Sequence, residues 1–535
     1  MSPPSSLLQN EVGKAHHHHD PPLPKPVQRK PGGWRSMPYI LGNESFERLA
    51  SIGLVANFTV FLMTVFHMNQ VSASNLINIW YGINNFLPLI GAFISDAYVG
   101  KFWVIAFSSF ATLLGMVTMT LIVALPKLHP PSCARQQSLL NQCEGATTRQ
   151  FGFLVLALGF LSVGTGGIRP CSLPFGVDQF DPTTDEGRKD IDSFFNCIFS
   201  GMAQTLVAAY KKRNLQVEKA MLYDPPMTKG TYQFQKLPLT NRFRCLNKAA
   251  IILDGETNPD GSRVSSWNLA SIQQVEEVKC LIKVIPILVS GVICYTALVQ
   301  QWTFTVSQAL KMDRHLGQHF QIPAGSIGVI SMITIGIWLP IYDRILVPSL
   351  RKITKIESGI TLLQRIGIGI VFSILAMIAA AMVEKKRRDS ATSHNRPDGV
   401  APLSVMWLAP QLILMAFAEV FNLLGLLEFY YKEFPDNMKS MSTAMFCVMA
   451  GVGNYLSSAL VTTVHKVTGK HGRPNWLAAD INAGRVDYFY YVIAGLGVLN
   501  MGYHLIVSSQ YQYKEKIQSS EEESKLDIEL NALKK

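Results

Sequence analysis

Charge is scarce in this chain. Asp, Glu, Lys and Arg make up 16% of its 535 residues, against 48% hydrophobic residues. Mean hydropathy is +0.19. That balance excludes an ordinary soluble enzyme of this length. Eight cysteines are scattered and none forms a C-x-x-C pair. No P-loop, nucleophile elbow or zinc helix is present, so an enzyme is the weakest reading. Residues 1–36 are Pro-rich and basic and lack the apolar core of a signal peptide. Neither end carries a lipidation motif. No basic stripe with interleaved aromatics lies outside the apolar runs. The net charge of +11 therefore reads as cytoplasmic loops and tails drawn to anionic lipid, with no nucleic-acid partner.

What the chain has is apolar blocks of about 20 residues, the length that crosses hydrocarbon as a helix. Ten spans are expected, at about 46–66, 75–97, 102–125, 151–169, 280–301, 324–346, 362–383, 403–426, 441–465 and 487–508. This is an all-α polytopic membrane protein. Its expected divisions are a disordered cytoplasmic tail (1–36), an N-terminal helical bundle (37–180), a cytoplasmic linker (181–275), a C-terminal helical bundle (276–510) and a cytoplasmic tail (511–535). With the N-terminus inside, Lys101, Lys211-Lys212-Arg213, Arg351-Lys352 and Lys514 fall on the cytoplasmic side, as the positive-inside rule asks. Lys385-Lys386-Arg387-Arg388 objects, because it would lie outside.

The stretch Asn43-Glu44-Ser45-Phe46-Glu47-Arg48 leads into the first apolar run. On a helix Glu44, Glu47 and Arg48 share one face, and Glu44 stands four residues before Arg48 in the favourable order. The bland reading is a solvated helix start whose acids suit the dipole. The functional reading is a proton acceptor beside an anion-binding guanidinium, since ionisable groups at a span usually face a cavity. Arg169 ends a Gly-rich span (Gly164, Gly166, Gly167) and must be paired or wet. Its best partner is Glu419, alone in the apolar run Val405–Leu426. Gln301, Trp302 and Gln308 follow another apolar run and read equally as vestibule or core. Lys279 belongs to an amphipathic lead-in helix rather than to a substrate site. Cys133 and Cys143 lie in one polar loop and read equally as a disulfide, if that loop is outside, or as two free thiols. His16–His19 read as an inert tail run. Asn57-Phe58-Thr59 matches the glycosylation pattern inside a span, out of reach.

The pattern E-x-x-E-R is filled by Glu44-Ser45-Phe46-Glu47-Arg48. Gly91-Ala92, Ser95-Asp96 and Gly100-Lys101 follow between the second and third spans. Further on come Gly166-Gly167-Ile168-Arg169-Pro170, Phe175-Gly176, Asp178-Gln179-Phe180-Asp181, Leu362-Leu363-Gln364-Arg365-Ile366-Gly367 and Asp487-Tyr488-Phe489-Tyr490. With these residues the chain resembles the plant nitrate/peptide transporters, within the proton-dependent oligopeptide transporters of the major facilitator superfamily. It is closest in flavour to the subgroup carrying nitrate and glucosinolates.

The resemblance implies a proton-coupled symporter of nitrate or a small organic anion, working by alternating access, with protons as the coupling ion and no cofactor. It implies proton coupling at Glu44, Glu47 and Arg48 and a gating ion pair Arg169–Glu419 across the two halves. Arg169 stands where many relatives use Lys. A cytoplasmic gate is expected at Asp96 and Lys101, with Asp343 and Arg344 in the pseudo-symmetric place. In nitrate-binding relatives a His occupies the span after the linker, and the aligned position is near Leu298. Burial favours a neutral carboxyl and a guanidinium an ionised one, so such a cluster is switchable. The expected partners are a small anion and membrane lipid, and a homo-oligomer is compatible with the sequence. The expected location is the plasma membrane.

The family has twelve spans. Here Ser193-Phe194-Phe195-Asn196 resembles the start of the fifth, while Cys197–Arg213 resembles the segment after the sixth. One helical hairpin is missing at Asn196–Cys197, giving four spans plus six. Its loss keeps topological parity but is expected to leave small and polar surfaces facing lipid. The apolar run Phe194–Tyr210 is marginal for a span and reads as interfacial. An alternative function follows, a transport-impaired isoform that regulates the intact carrier.

Overall fold

The computed structural model describes residues 37–133, 143–177, 201–216, 220–225, 237, 239–240, 242–356, 358–394, 399–435, 440–469 and 475–513. The side chains of Glu44, Arg48 and Asp96 lie outside the described residues, as do His16–His19, the junction Asn196–Cys197 and residues 514–535.

Helix α1 (Met37–Thr64) opens the chain, followed by α2 (Gln70–Ile94), α3 (Lys101–Ala124) and α4 (Thr148–Val177). The Asn69 side chain caps α2 by accepting from the Ser72 amide at 2.8 Å. Gly100 turns the chain into α3 at φ 84°, a conformation that a side chain would strain. The N-terminal half packs through small residues. A Cβ on Gly91 would sit 2.0 Å from the Gly166 carbonyl oxygen, so α2 and α4 touch backbone to backbone. Gly164 and Gly167 leave room for the side-chain hydroxyls of Thr112 and Ser108 of α3. These glycines are therefore internal, whereas Gly152 and Gly159 of α4 are exposed with open space around them. What α3 presents outward is large and apolar, including Phe102, Phe107, Phe110 and Leu113.

After the linker come α6 (Ile272–Leu310), α7 (Val329–Ile341), α8 (Leu362–His394), α9 (Ala409–Ala418), α10 (Leu424–Glu433), α11 (Ser440–Thr468) and α12 (Val486–Gln510). A π-helical turn, Tyr342–Leu346, prolongs α7, and another, Glu419–Leu423, joins α9 to α10. A third, Ser95–Val99, follows α2. Two small two-stranded sheets complete the loops.

Among the described residues nine helical stretches are long and apolar enough to cross a membrane. The first expected span falls on α1, whose apolar stretch Gly53–Thr64 is shorter than those nine. The described part of the linker helix, α5 (Gly201–Lys211), has 11 residues, about 16 Å, while residues 194–200 of the expected interfacial run lie outside the described residues. It packs Ala208 and Ala209 against Leu246, Ala249 and the start of α6 at Val275 and Val278. The linker is stapled there by charges. Lys212 bonds Glu256 at 2.7 Å, and Glu276 accepts from the Thr240 amide at 2.9 Å and from Lys279 at 2.6 Å. Lys279 therefore serves the linker joint. Cys133 and Cys143 form a disulfide, which settles their two readings and suits an oxidising compartment.

The structure also explains the awkward basic cluster. Helix α8 runs on through Lys385–Arg388. Arg387 is fully buried against Glu384 at 2.8 Å and donates to Asn482 at 2.6 Å, while Arg388 clamps Asp487 of α12. Only Lys385 and Lys386 face outward, and Lys386 sits 3.4 Å from the Trp407 ring centroid. Half of the cluster is thus internal glue between helices. Glu384→Gln leaves Arg387 buried without its counter-charge, and we expect a loss of about 3–5 kcal/mol. A thermal midpoint unchanged in detergent would show the pair to be dispensable.

Candidate functional site: a cavity between the two halves

Helix α1 begins at Met37, so Glu44, Glu47 and Arg48 lie well inside a helix and not at its first turn. A position in the first helical turn is therefore excluded for all three. Glu47 is buried, and its Oε1 accepts from the Ser51 hydroxyl at 2.8 Å. Its Oε2 has no hydrogen-bond partner among the described residues. Ser51 in turn lines a cavity of about 420 Å³ between the two halves.

Both halves wall this cavity. Trp80, Tyr81 and Asn84 come from α2, Thr165 and Arg169 from α4, Tyr295, Trp302 and Thr305 from α6, and Asn454 from α11. Arg169 is the one formally charged side chain among the described lining residues. The walls are mainly aromatic and aliphatic, with a few amides and hydroxyls, the usual make-up of a small-molecule site. Trp80 is fixed by donating its Nε1 hydrogen to Ser162 at 2.9 Å.

Glu419 sits at the first position of a π-helical turn, a deviation common at functional sites. In this conformation it accepts from Trp302 Nε1 at 3.0 Å. The expected Arg169–Glu419 ion pair is not formed between these two described residues. The tryptophan holds the carboxylate in its place. Trp302 is thus a cavity residue, whereas Gln301 and Gln308 are buried. Gln301 donates to the Gln411 carbonyl and Gln308 to Glu384, both at 2.8 Å. Leu298 is buried in the core, and no histidine lines the cavity among the described residues.

The expected gate residues fall on matching structures. Asp96 and Asp343 each occupy the second position of a π-helical turn, Ser95–Val99 and Tyr342–Leu346. Asp343 and Arg344 are exposed, and Lys101 starts α3. Beside the second turn, Arg365 bonds Glu428 at 2.8 Å and stacks over the Tyr342 ring at 4.7 Å. In the sequence Arg365 stands in a motif with no partner evident near it, and Asn75 and Asn78 of α2 carry no motif. Asn75 donates to Thr462 and Asn78 to Ser457, both at 3.0 Å, and these bonds seam the two halves together. The available signal was a pair of asparagines inside an apolar span.

A family model described as the POT family matches residues 102–208 and 198–477. The chain belongs to the POT family. It is therefore a transporter rather than an enzyme. Protein NRT1/PTR FAMILY 2.13 of Arabidopsis thaliana is 48% identical over 573 residues, covering 95% of this chain and 92% of that protein. Protein NRT1/PTR FAMILY 2.12 of the same plant is 46% identical, covering 94% and 97%. Among solved structures, an auto-inhibited POT family peptide transporter superposes with a TM-score of 0.57 at 19% identity, over 89% of this chain and 97% of that one. At that identity the likeness concerns fold alone. The alignment with the 2.13 protein, 573 residues, is longer than this whole 535-residue chain. That relative carries residues which this chain lacks. The two pieces of the family match meet at residues 198–208.

Proposed function

We propose that this POT family chain is a proton-coupled symporter of nitrate or a small organic anion such as a glucosinolate, working by alternating access at the plasma membrane. One observation carries the reading. A cavity between two helical bundles holds a single formal charge among its described lining residues, the Arg169 guanidinium. A guanidinium offers a planar fork of donors to a carboxylate, sulfate or nitrate. About 420 Å³ is far more room than nitrate fills, which favours the organic anion.

Proton coupling is assigned to the Glu44, Glu47 and Arg48 cluster. Glu47 touches the cavity through Ser51, and its second oxygen has no described donor, so a proton placed there displaces no hydrogen bond. A protonated Glu47 no longer competes with the substrate for nearby cationic groups. Glu419 would exchange Trp302 for Arg169 as the bundles rock, biasing the opening to one side. With the N-terminus inside, the seam at Asn75 and Thr462 closes the outer end, leaving the cavity to the cytoplasm. The turns bearing Asp96 and Asp343 would latch the inner end when it shuts.

Energetics set the stoichiometry. An inside-negative potential opposes anion uptake by about 2.3 kcal/mol per charge per 100 mV. Each pH unit supplies about 1.4 kcal/mol per proton. One proton per monovalent anion gains nothing from voltage, whereas two gain from both. We expect more than one proton per anion. In proteoliposomes holding the purified chain, imposing inside-negative voltage at fixed pH then raises initial nitrate or organic-anion uptake. Uptake indifferent to voltage would refute the two-proton ratio.

A second reading has its own support in the residues missing relative to the 2.13 protein. It makes the chain a transport-impaired isoform that associates with intact carriers. The same liposomes separate the two readings. Proton-dependent uptake by this chain alone excludes the regulator. No uptake, together with a stable complex with an intact relative, excludes the symporter.

A further inference from the structure

Met332 of α7 lines the cavity and is 51% exposed. Val329, Ile333 and Ile337 recur at four-residue spacing on α7, each roughly half-exposed, so they share a face that adjoins Met332. Across the cavity Val55 of α1 is also both lining and exposed. The main partner of α7 within the C-terminal half is α9, and α1 touches the turn Ala324–Gly328 that precedes α7 as well as α2, α4 and α6. An apolar strip therefore starts inside the cavity and continues onto the surface that bilayer hydrocarbon covers.

We infer that the cavity takes amphipathic organic anions, with the charged head at Arg169 and an alkyl or aryl tail along Val329, Met332 and Ile333 toward the bilayer. This rests on the reading of the cavity as an anion site. The charge and the strip are complementary to the two ends of such a molecule. A tail lying on the strip stays in apolar surroundings, while a fully hydrophilic anion leaves the strip to lipid.

Linear alkanesulfonates test this. They are charged at every working pH and do not leak across bilayers as neutral acids. Binding of the ethane to decane members to the full chain in nanodiscs is read from tryptophan fluorescence, since Trp80 and Trp302 line the cavity. Affinity should rise roughly fourfold for each of the first several methylenes added. Ile333→Glu should lower the ratio of octanesulfonate to ethanesulfonate affinity at least tenfold. Should that variant not fold, Ile333→Trp in nanodiscs with brominated acyl chains gives a second reading. Octanesulfonate should relieve the added quenching and ethanesulfonate should not.

Affinity that is flat with chain length, with ethanesulfonate still bound, overturns the tail site and leaves the anion site standing. A rising series whose ratio Ile333→Glu does not change overturns it too. So does a dimer that Ile333→Glu dissolves with the ratio unaltered, which would make the strip a contact between copies. If neither nitrate nor any sulfonate binds, the anion reading fails and takes this inference with it.

Discussion

Glu47→Gln abolishes uphill, pH-driven accumulation of the anion and spares downhill exchange. The amide fits the space of the carboxyl and can still accept from Ser51, which now lies 2.8 Å from Oε1. What it cannot do is gain or lose a proton. Each pH unit of drive is worth a factor of about ten per coupled proton, so a gradient of two units makes the loss about a hundredfold or more. Proteoliposomes loaded with unlabelled anion report exchange, and the same vesicles under an imposed pH gradient report accumulation. Accumulation that survives the substitution would remove Glu47 from the coupling path. Loss of both activities would point to a damaged fold instead, since a buried side chain has then been disturbed beyond its titration.

Arg169→Ala should weaken anion binding by about 10- to 150-fold, the range expected for one or two hydrogen bonds to a charged group. No second formal charge lines the cavity among the described residues, so nothing described there replaces the guanidinium. Arg169→Lys should recover part of the loss, because charge is kept while the planar fork is not. Titration of nitrate and of an organic anion against the purified protein measures both. A change below twofold on alanine substitution would move the substrate elsewhere in the chain. These two substitutions act on different steps, and their effects should differ in kind. The glutamate variant keeps affinity and loses drive, and the arginine variant loses affinity first.

The membrane spans were legible in the sequence because hydrocarbon imposes a length, and the blocks of apolar residues meet it one after another. The membership of the family was legible because the motifs sit at span ends, where few residue types do the work. Partners were not. Lys385–Arg388 reads as an exposed basic run until Asp487, almost a hundred residues later, is seen clamped to Arg388. Glu419 stands alone in its apolar run, and only the packing of α6 brings Trp302 to it. Gln308 and Trp302 lie six residues apart on one helix and turn to opposite fates. One is buried against Glu384, the other open to the cavity. Residue type and spacing limit what a side chain can do, whereas the neighbour that decides among those options is set by tertiary packing. Helix α1 is the counter-example. Its apolar end marks a span, yet the helix extends back to Met37 and carries Glu47 with it into the interior.

The three π-helical turns among the described residues lie just where the proposed machinery sits, at Ser95–Val99, Tyr342–Leu346 and Glu419–Leu423. Each wider loop of backbone takes in one additional residue, which swings the following side chains about 100° around the rod. Tightening such a loop back to an ordinary turn would rotate everything beyond it by the same amount without breaking the rod. Asp96, Asp343 and Glu419 each stand on a spot where a side chain can be re-aimed by slipping a single peptide unit.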